Sequence, residues 1–201
     1  MPKSHYQSIA CIYDILDYPF EILRYQQIRR LVFEGLTGHL IDVGVGTGRN
    51  IRFYPRNTQV IGIDNSINML RHAVRRKKYA KNNLSLVEMD AQELGFNDKS
   101  FDFAVLTFIC CTMDPEHQMA VLNEVYRILK PGGKVLILDY TYSSAIIRRL
   151  IMKIWAPWVN FAYGARFDRK VNKELISRIG FRNINLEYVY SDSIILTKAE
   201  K

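Results

Sequence analysis

The stretch Leu40-Ile41-Asp42-Val43-Gly44-Val45-Gly46-Thr47-Gly48 decides the fold, because an apolar run passes directly into three alternate glycines. Alternate glycines let a chain leave a strand in a tight turn and let a ligand approach the backbone without meeting a Cβ. A dinucleotide fingerprint needs its third glycine at position 49, where Arg49 stands, and a Walker loop needs Gly-Lys-Ser/Thr where Gly48-Arg49-Asn50 stands. Both alternatives are therefore disfavoured.

Outward from this loop the chain alternates. His39 to Val43, Gln59 to Asp64, Leu84 to Met89, Phe101 to Phe108 and Lys134 to Asp139 are short apolar or β-branched runs, the pattern of strands buried on both faces. Ser66 to Lys78 and Pro115 to Leu129 have helical periodicity, the second with Asp114 as its cap and Pro131-Gly132-Gly133 as its stop. Ile184 to Tyr190 and Ser193 to Lys198 flank Ser191-Asp192 as an antiparallel hairpin, and two helices, Gln7 to Leu16 and Phe20 to Phe33, precede the first strand. The expectation is a doubly wound, mostly parallel α/β sheet of seven strands with a C-terminal antiparallel hairpin. All 201 residues form one domain in this reading, with a helical N-terminal cap over 1–36 and a helical cap insertion over 143–173.

Composition sets the boundaries of function. With 48% hydrophobic and 24% charged residues the chain is an ordinary globular protein. Its formal charge of +8 is concentrated in Arg71 to Lys81 and Ser143 to Lys173, which invites an anionic partner. Cys11, Cys110 and Cys111 suit neither a disulfide framework nor a zinc site, and no metal is expected. The opening Met-Pro-Lys-Ser-His-Tyr lacks a secretory pattern, so the expected location is cytoplasmic, with a peripheral position on the inner face of a membrane also open.

In open α/β sheets ligands sit beyond the carboxyl ends of the strands. Asp64 ends the second run, 20 residues after Gly44, where an acid can hold two ribose hydroxyls. Asp42 would repel a pyrophosphate but suits the ammonium of an amino acid. An adenosine joined to a methionine has both features, so S-adenosylmethionine fits better than a dinucleotide.

These residues carry a family resemblance. The chain resembles the class I S-adenosylmethionine-dependent methyltransferases, which have a Rossmann-like fold, from Ile12 to about Lys198. Asp42 to Gly48 is similar to their first motif, and Ile61-Gly62-Ile63-Asp64-Asn65-Ser66 with Met69-Leu70 to the motif of the second strand. Asp90-Ala91-Gln92-Glu93-Leu94 resembles the adenine-framing segment, and Leu129 to Lys134 the turn before the fifth strand. The resemblance implies a cofactor site of Tyr13, Asp42, Gly44, Gly46, Thr47, Gly48, Asp64, Asn65, Ser66, Met69, Asp90, Ala91, Thr107 and Ile109. In it Asp42 holds the amino group directly or through water, Asp64 the ribose and Asp90 the adenine amine. Within the family the chain is most similar to bacterial phospholipid N-methyltransferases, quinone methyltransferases and membrane-associated thiol methyltransferase-like proteins.

Methyl transfer is an in-line displacement that depends mainly on alignment in a dry site, so no catalytic constellation is required and none is assigned. Tyr140 and Tyr142 are candidates to face the acceptor. Ser144 to Trp158 places Ile146, Ile147, Leu150, Ile151, Ile154, Trp155 and Trp158 on one helical face and Arg148, Arg149 and Lys153 on the other. That helix either packs on the sheet as a cap or lies on an anionic membrane surface, its cations attracting a lipid phosphate. The Asn/Asp-Pro-Pro-aromatic pattern of amino-methylating DNA enzymes is missing after the fourth strand, where Thr107-Phe108-Ile109-Cys110 stands, which argues against nucleic acid. The expectation is methylation of a lipid or other hydrophobic small molecule, first a phosphatidylethanolamine amine. The alternatives are a soluble thiol or quinol methyltransferase and a non-catalytic S-adenosylmethionine-binding subunit.

Overall fold

The computed structural model describes residues 25–201. The expected helix over Gln7 to Leu16, the start of the next one, and Tyr13 lie outside them. From the first helix, α1 (Gln26–Phe33), the chain enters β1 (Gly38–Val43) and β2 (Thr58–Asp64), then α2 (Ile67–Arg76), β3 (Asn83–Glu88) and β4 (Phe101–Thr107). There follow α3 (Pro115–Ile128), β5 (Leu129–Tyr140), α4 (Ile146–Tyr163), α5 (Lys173–Ile179), β6 (Arg182–Tyr190) and β7 (Ile194–Glu200).

The strands form one sheet in the order β3-β2-β1-β4-β5-β7-β6. The first five pair in parallel, and β7 runs antiparallel between β5 and β6. Strand neighbours with opposite-pointing side chains divide the core in two. Leu40, Val105 and Leu136 pack on one face with Ile28, Val32 and Phe33 of α1 and Ala73 of α2. Ile41, Leu106 and Ile137 pack on the other with Val121, Leu122 and Val125 of α3 and Ile176 of α5. Both faces are covered, which is why these strands read as continuous apolar runs. The strand order reverses between β1 and β4, and this switch point opens a crevice at the carboxyl end of the sheet.

Three elements differ from the sequence reading. Helix α3 begins as expected, with the Asp114 carboxylate accepting the His117 N–H, but it stops at Ile128, ahead of Pro131-Gly132-Gly133, which lies inside the twelve-residue β5. The stop is tertiary: Lys201 Nζ donates to the carbonyls of Tyr126, Arg127 and Leu129, groups a helix end leaves without partners. Helix α5 was not expected, although Asn172 caps it and Gly180 ends it in the left-handed conformation. Helix α4 runs on to Tyr163 and buries none of its described residues, so its apolar face does not pack on the sheet. Eight of its large apolar side chains between Ile146 and Phe161 are 46–77% exposed. No helix among the described residues is long and apolar enough to cross a membrane.

Candidate active site

A cavity of about 1000 Å³ occupies the crevice, and its walls are the segments that follow the strands. Gly44 to Thr47 follow β1, Asp64 and Asn65 end β2, Met89 to Gln92 follow β3, Thr107 to Ile109 follow β4 and Tyr140 ends β5. The glycine loop turns sharply because Gly44 and Val45 both donate to the Ile63 carbonyl, at 2.9 and 2.8 Å. Gly44 has φ +74°, and a Cβ there would run into the Ile109 side chain, so the loop keeps its backbone bare beside the cavity.

Asp64 is held by this loop and holds it in return. Its Oδ2 accepts the Gly46 N–H and its Oδ1 the Ser66 N–H, both at 2.9 Å, leaving one lone pair on each oxygen for a ligand. Burial raises its pKa, and the two N–H groups act in the opposite direction. Asp90 accepts the Gln92 N–H in a local turn at the cavity wall.

Asp42 is fully buried and is not among the cavity walls. Its Oδ2 accepts Asn50 Nδ2 at 2.8 Å and the Tyr54 hydroxyl, while its Oδ1 has no hydrogen-bond partner. Desolvation raises its pKa to about 6, against the lowering effect of Tyr54, Asn50 and Arg29. Asn50 also donates to Thr107 Oγ1 at 2.9 Å and accepts from Arg29 Nη1 at 2.6 Å. The carboxylate thus sits in a network that joins α1, the glycine loop and the end of β4.

Beyond this end the walls become aromatic and apolar. Phe108 lies at φ +56°, a conformation uncommon for a bulky residue and typical of functional sites. Its ring lies 4.7 Å from that of Tyr140 and 5.5 Å from that of Tyr25, and the Tyr140 and Phe167 rings are 5.8 Å apart. Ile151, Met152, Trp155, Trp158 and Val159 of α4 complete this side, and Thr112, Asp114, His117 and Arg169 bring polar groups to it.

Of the residues singled out from sequence, Gly44, Gly46, Thr47, Asp64, Asn65, Met69, Asp90, Ala91, Thr107, Ile109 and Tyr140 line the cavity together. Gly48 packs beneath the loop against Ile51 and Ala73, Ser66 caps α2, and Tyr142 stands behind Phe167. Arg148, Arg149 and Lys153 are not walls. Arg148 pairs with Asp192 and Arg149 donates to the Ser143 carbonyl, so both fasten the start of α4 instead. Sequence reasoning missed Arg29, Asn50, Asp114, His117, Phe167 and Arg169 as site residues. Asp114, His117 and Asn50 stood in segments already singled out, whereas Phe167 and Arg169 arrive through tertiary contacts.

Residues 40–133, which carry the loop and most of these walls, match a family model described as a methyltransferase domain. The match spans just under half of the chain. A ubiquinone/menaquinone biosynthesis C-methyltransferase from Desulfotalea psychrophila is 34% identical to this chain over 144 residues, covering 68% of this chain and 56% of the relative. A phosphatidylethanolamine N-methyltransferase from Cereibacter sphaeroides is 37% identical over 108 residues, 51% of each chain. A thiol S-methyltransferase from Rattus norvegicus is 26% identical over 156 residues, 74% of this chain and 62% of that one. The chain thus spans about half to three-fifths of the length of these curated relatives. An S-adenosylmethionine-dependent methyltransferase from Thermotoga maritima superposes on it with a TM-score of 0.69 at 21% identity, covering 94% of this chain and 96% of that one, which shows that the fold of the methyltransferase domain continues through the rest of the chain.

Proposed function

We propose that this protein transfers a methyl group from S-adenosylmethionine to a hydrophobic, membrane-partitioned small molecule, with the amine of phosphatidylethanolamine as the leading acceptor. The observation that carries the reading is the continuity of one cavity, from the bare glycine loop and the Asp64 and Asp90 carboxylates to the exposed apolar helix α4. A volume of about 1000 Å³ lies at the upper end of ordinary ligand sites and suits two molecules side by side.

The residues at the loop end fit the cofactor. Gly44 and Gly46 leave room for its methionine part, Asp64 has a lone pair on each oxygen for the ribose, and Asp90 with Ala91 frames the base. The unpartnered Oδ1 of Asp42 attracts an ammonium, and since Asp42 is not a wall that attraction acts through a bridging group or across Gly44. When bound, the cofactor supplies an electrophilic methyl on a sulfonium. The protein's own contribution is to align the acceptor and exclude water, and the Tyr25, Phe108, Tyr140 and Phe167 rings do this where the two ends of the cavity meet. Their electron-rich faces favour a cationic amine, which supports an amine acceptor over a neutral one.

Helix α4 supplies the route to the membrane. Ile146, Ile147 and Ile154 point to solvent outside the cavity walls, while Ile151, Trp155 and Trp158 line it. A bilayer that covers the outer residues brings its lipid to the cavity mouth, and Lys153, with the basic segment that follows α4, favours an anionic surface. Residence at the cytoplasmic face of a membrane is part of the same reading.

The test is incubation with methyl-labelled S-adenosylmethionine and vesicles of phosphatidylethanolamine with phosphatidylglycerol, in parallel with a detergent-dispersed menaquinol analogue and with dithiothreitol. Label in phosphatidylethanolamine is the expected result. Label only in the quinol or the thiol overturns the leading acceptor.

A further inference from the structure

Where the aromatic end of the cavity meets α3, two titratable side chains sit in contact. His117 Nδ1 lies 2.6 Å from Asp114 Oδ1, and both residues line the cavity, as do Thr112 and Met113 beside them. Asp114 is also the N-cap of α3 and accepts the His117 backbone N–H at 3.0 Å. That N–H and the imidazole together hold the Asp114 carboxyl below its usual range, and Arg169 adds to the effect. An ionised carboxylate only accepts hydrogen bonds, so Nδ1 donates to it, and in the neutral imidazole Nε2 then carries the lone pair. An imidazole oriented by a carboxylate, with the opposite nitrogen unprotonated, is the arrangement of a general base. Arg169 is set against the start of α3 because the buried Gln118 side chain donates to its carbonyl at 2.6 Å and to that of Cys110 at 2.8 Å. The charged groups around the imidazole are therefore Asp114 and Glu116 on its own turn and Arg169 from the segment before α5, with Trp155 and Trp158 on the α4 side of the cavity.

We infer that His117, held by Asp114, is the proton acceptor of the methyl transfer. The inference rests on the methyl-transfer reading above and goes beyond it by assigning a catalytic role. The acceptor atom gives its proton to His117 Nε2, and the electron pair freed from that bond forms the new bond to the methyl carbon. The carbon–sulfur pair stays on sulfur, which becomes neutral, and the imidazolium returns its proton to solvent. The scheme balances for an ammonium, a thiol or a quinol.

Two variants separate this role from a helix cap. His117→Gln removes the base, and Asp114→Asn removes the carboxylate but keeps a residue that caps helices as well as aspartate does. Methyl transfer to phosphatidylethanolamine in mixed micelles, and to dithiothreitol, is measured from pH 5.5 to 9. Cofactor affinity is followed by calorimetry, and the His117 imidazole in the ligand-free protein by nitrogen NMR. The wild type is expected to show an acidic limb separate from the acceptor's own ionisation, and an imidazole protonated on Nδ1. In His117→Gln kcat/KM falls about 10²-fold or more and the limb disappears, while cofactor affinity stays within twofold. In Asp114→Asn the rate drops although α3 keeps its thermal stability. Full activity of His117→Gln with an unchanged pH profile, or an imidazole protonated on Nε2, overturns the inference alone. Absence of transfer by the wild-type protein overturns the methyl-transfer reading and this inference with it.

Discussion

Asp139 ends β5 with almost no exposed surface, and its carboxyl accepts the backbone N–H of Cys111, 2.7 Å away. Desolvation raises its pKa from 3.8 to about 7, and Asp42 is raised to about 6 for the same reason. For such groups the folded state binds the proton more tightly than the unfolded state, so stability falls as pH rises from about 4 to about 7. Asp102, Asp168 and Asp192 shift downward and act in the opposite sense, with their contribution lost below about pH 4. Thermal melts from pH 4 to 7.5 should therefore show the wild type losing stability across the window, and Asp139→Asn losing less of it. A variant with the wild-type slope contradicts the assignment. At Asp64, replacement by Ala removes the proposed ribose partner and the anchor of the glycine loop together, so S-adenosylmethionine affinity should drop by about 1.5–3 kcal/mol, read by calorimetry. The placement of Asp64, Gly44 and Gly46 at the cavity was legible because backbone conformation and strand-end position restrict the residue types that serve there. The burial of Asp42 was not, because its partners Asn50, Tyr54 and Arg29 converge on it only in the folded chain.

Gly48 joins the loop to α2. A Cβ on it would stand 2.6 Å from Ile51 Cδ1 and 2.9 Å from Ala73 Cα, at φ +83°, so neither the backbone nor the packing admits a side chain. Gly48→Ala should cost about 1–3 kcal/mol of stability in denaturant unfolding, with α2 displaced from the sheet. Helix α4 makes the opposite prediction. Ile147 and Ile154 touch no cavity, so exchanging both for Gln should leave stability unchanged within about 0.5 kcal/mol and reduce binding to anionic vesicles more than tenfold, measured by flotation. Its first turn is fastened to the turn between β6 and β7, where Asp192 accepts from Ser143, Ser144 and Arg148. The amphipathic pattern of α4 could be read from its spacing. That its apolar face stays exposed could not, since the same pattern serves packing on a sheet equally well. The end of α3 was legible to within one residue, whereas the start of β5 at Leu129, ahead of Pro131-Gly132-Gly133, was not.

At the scale of the molecule, a doubly wound, mostly parallel sheet was legible from the alternating apolar runs, whereas the strand order with its switch point between β1 and β4 comes from the fold itself. The placement of β7 between β5 and β6 follows the hairpin signal around Ser191-Asp192. What the sequence did not reveal is that the cofactor end and the aromatic end form one continuous space, since residues far apart in the chain enclose it. This continuity supports the proposal of a membrane-partitioned acceptor beside the cofactor. The most direct test is transfer of labelled methyl from S-adenosylmethionine into a whole-cell membrane extract, followed by separation into organic, aqueous and volatile fractions. Label in the organic phase, migrating with methylated phosphatidylethanolamine, is the predicted result. Label confined to the aqueous or volatile fraction would contradict it.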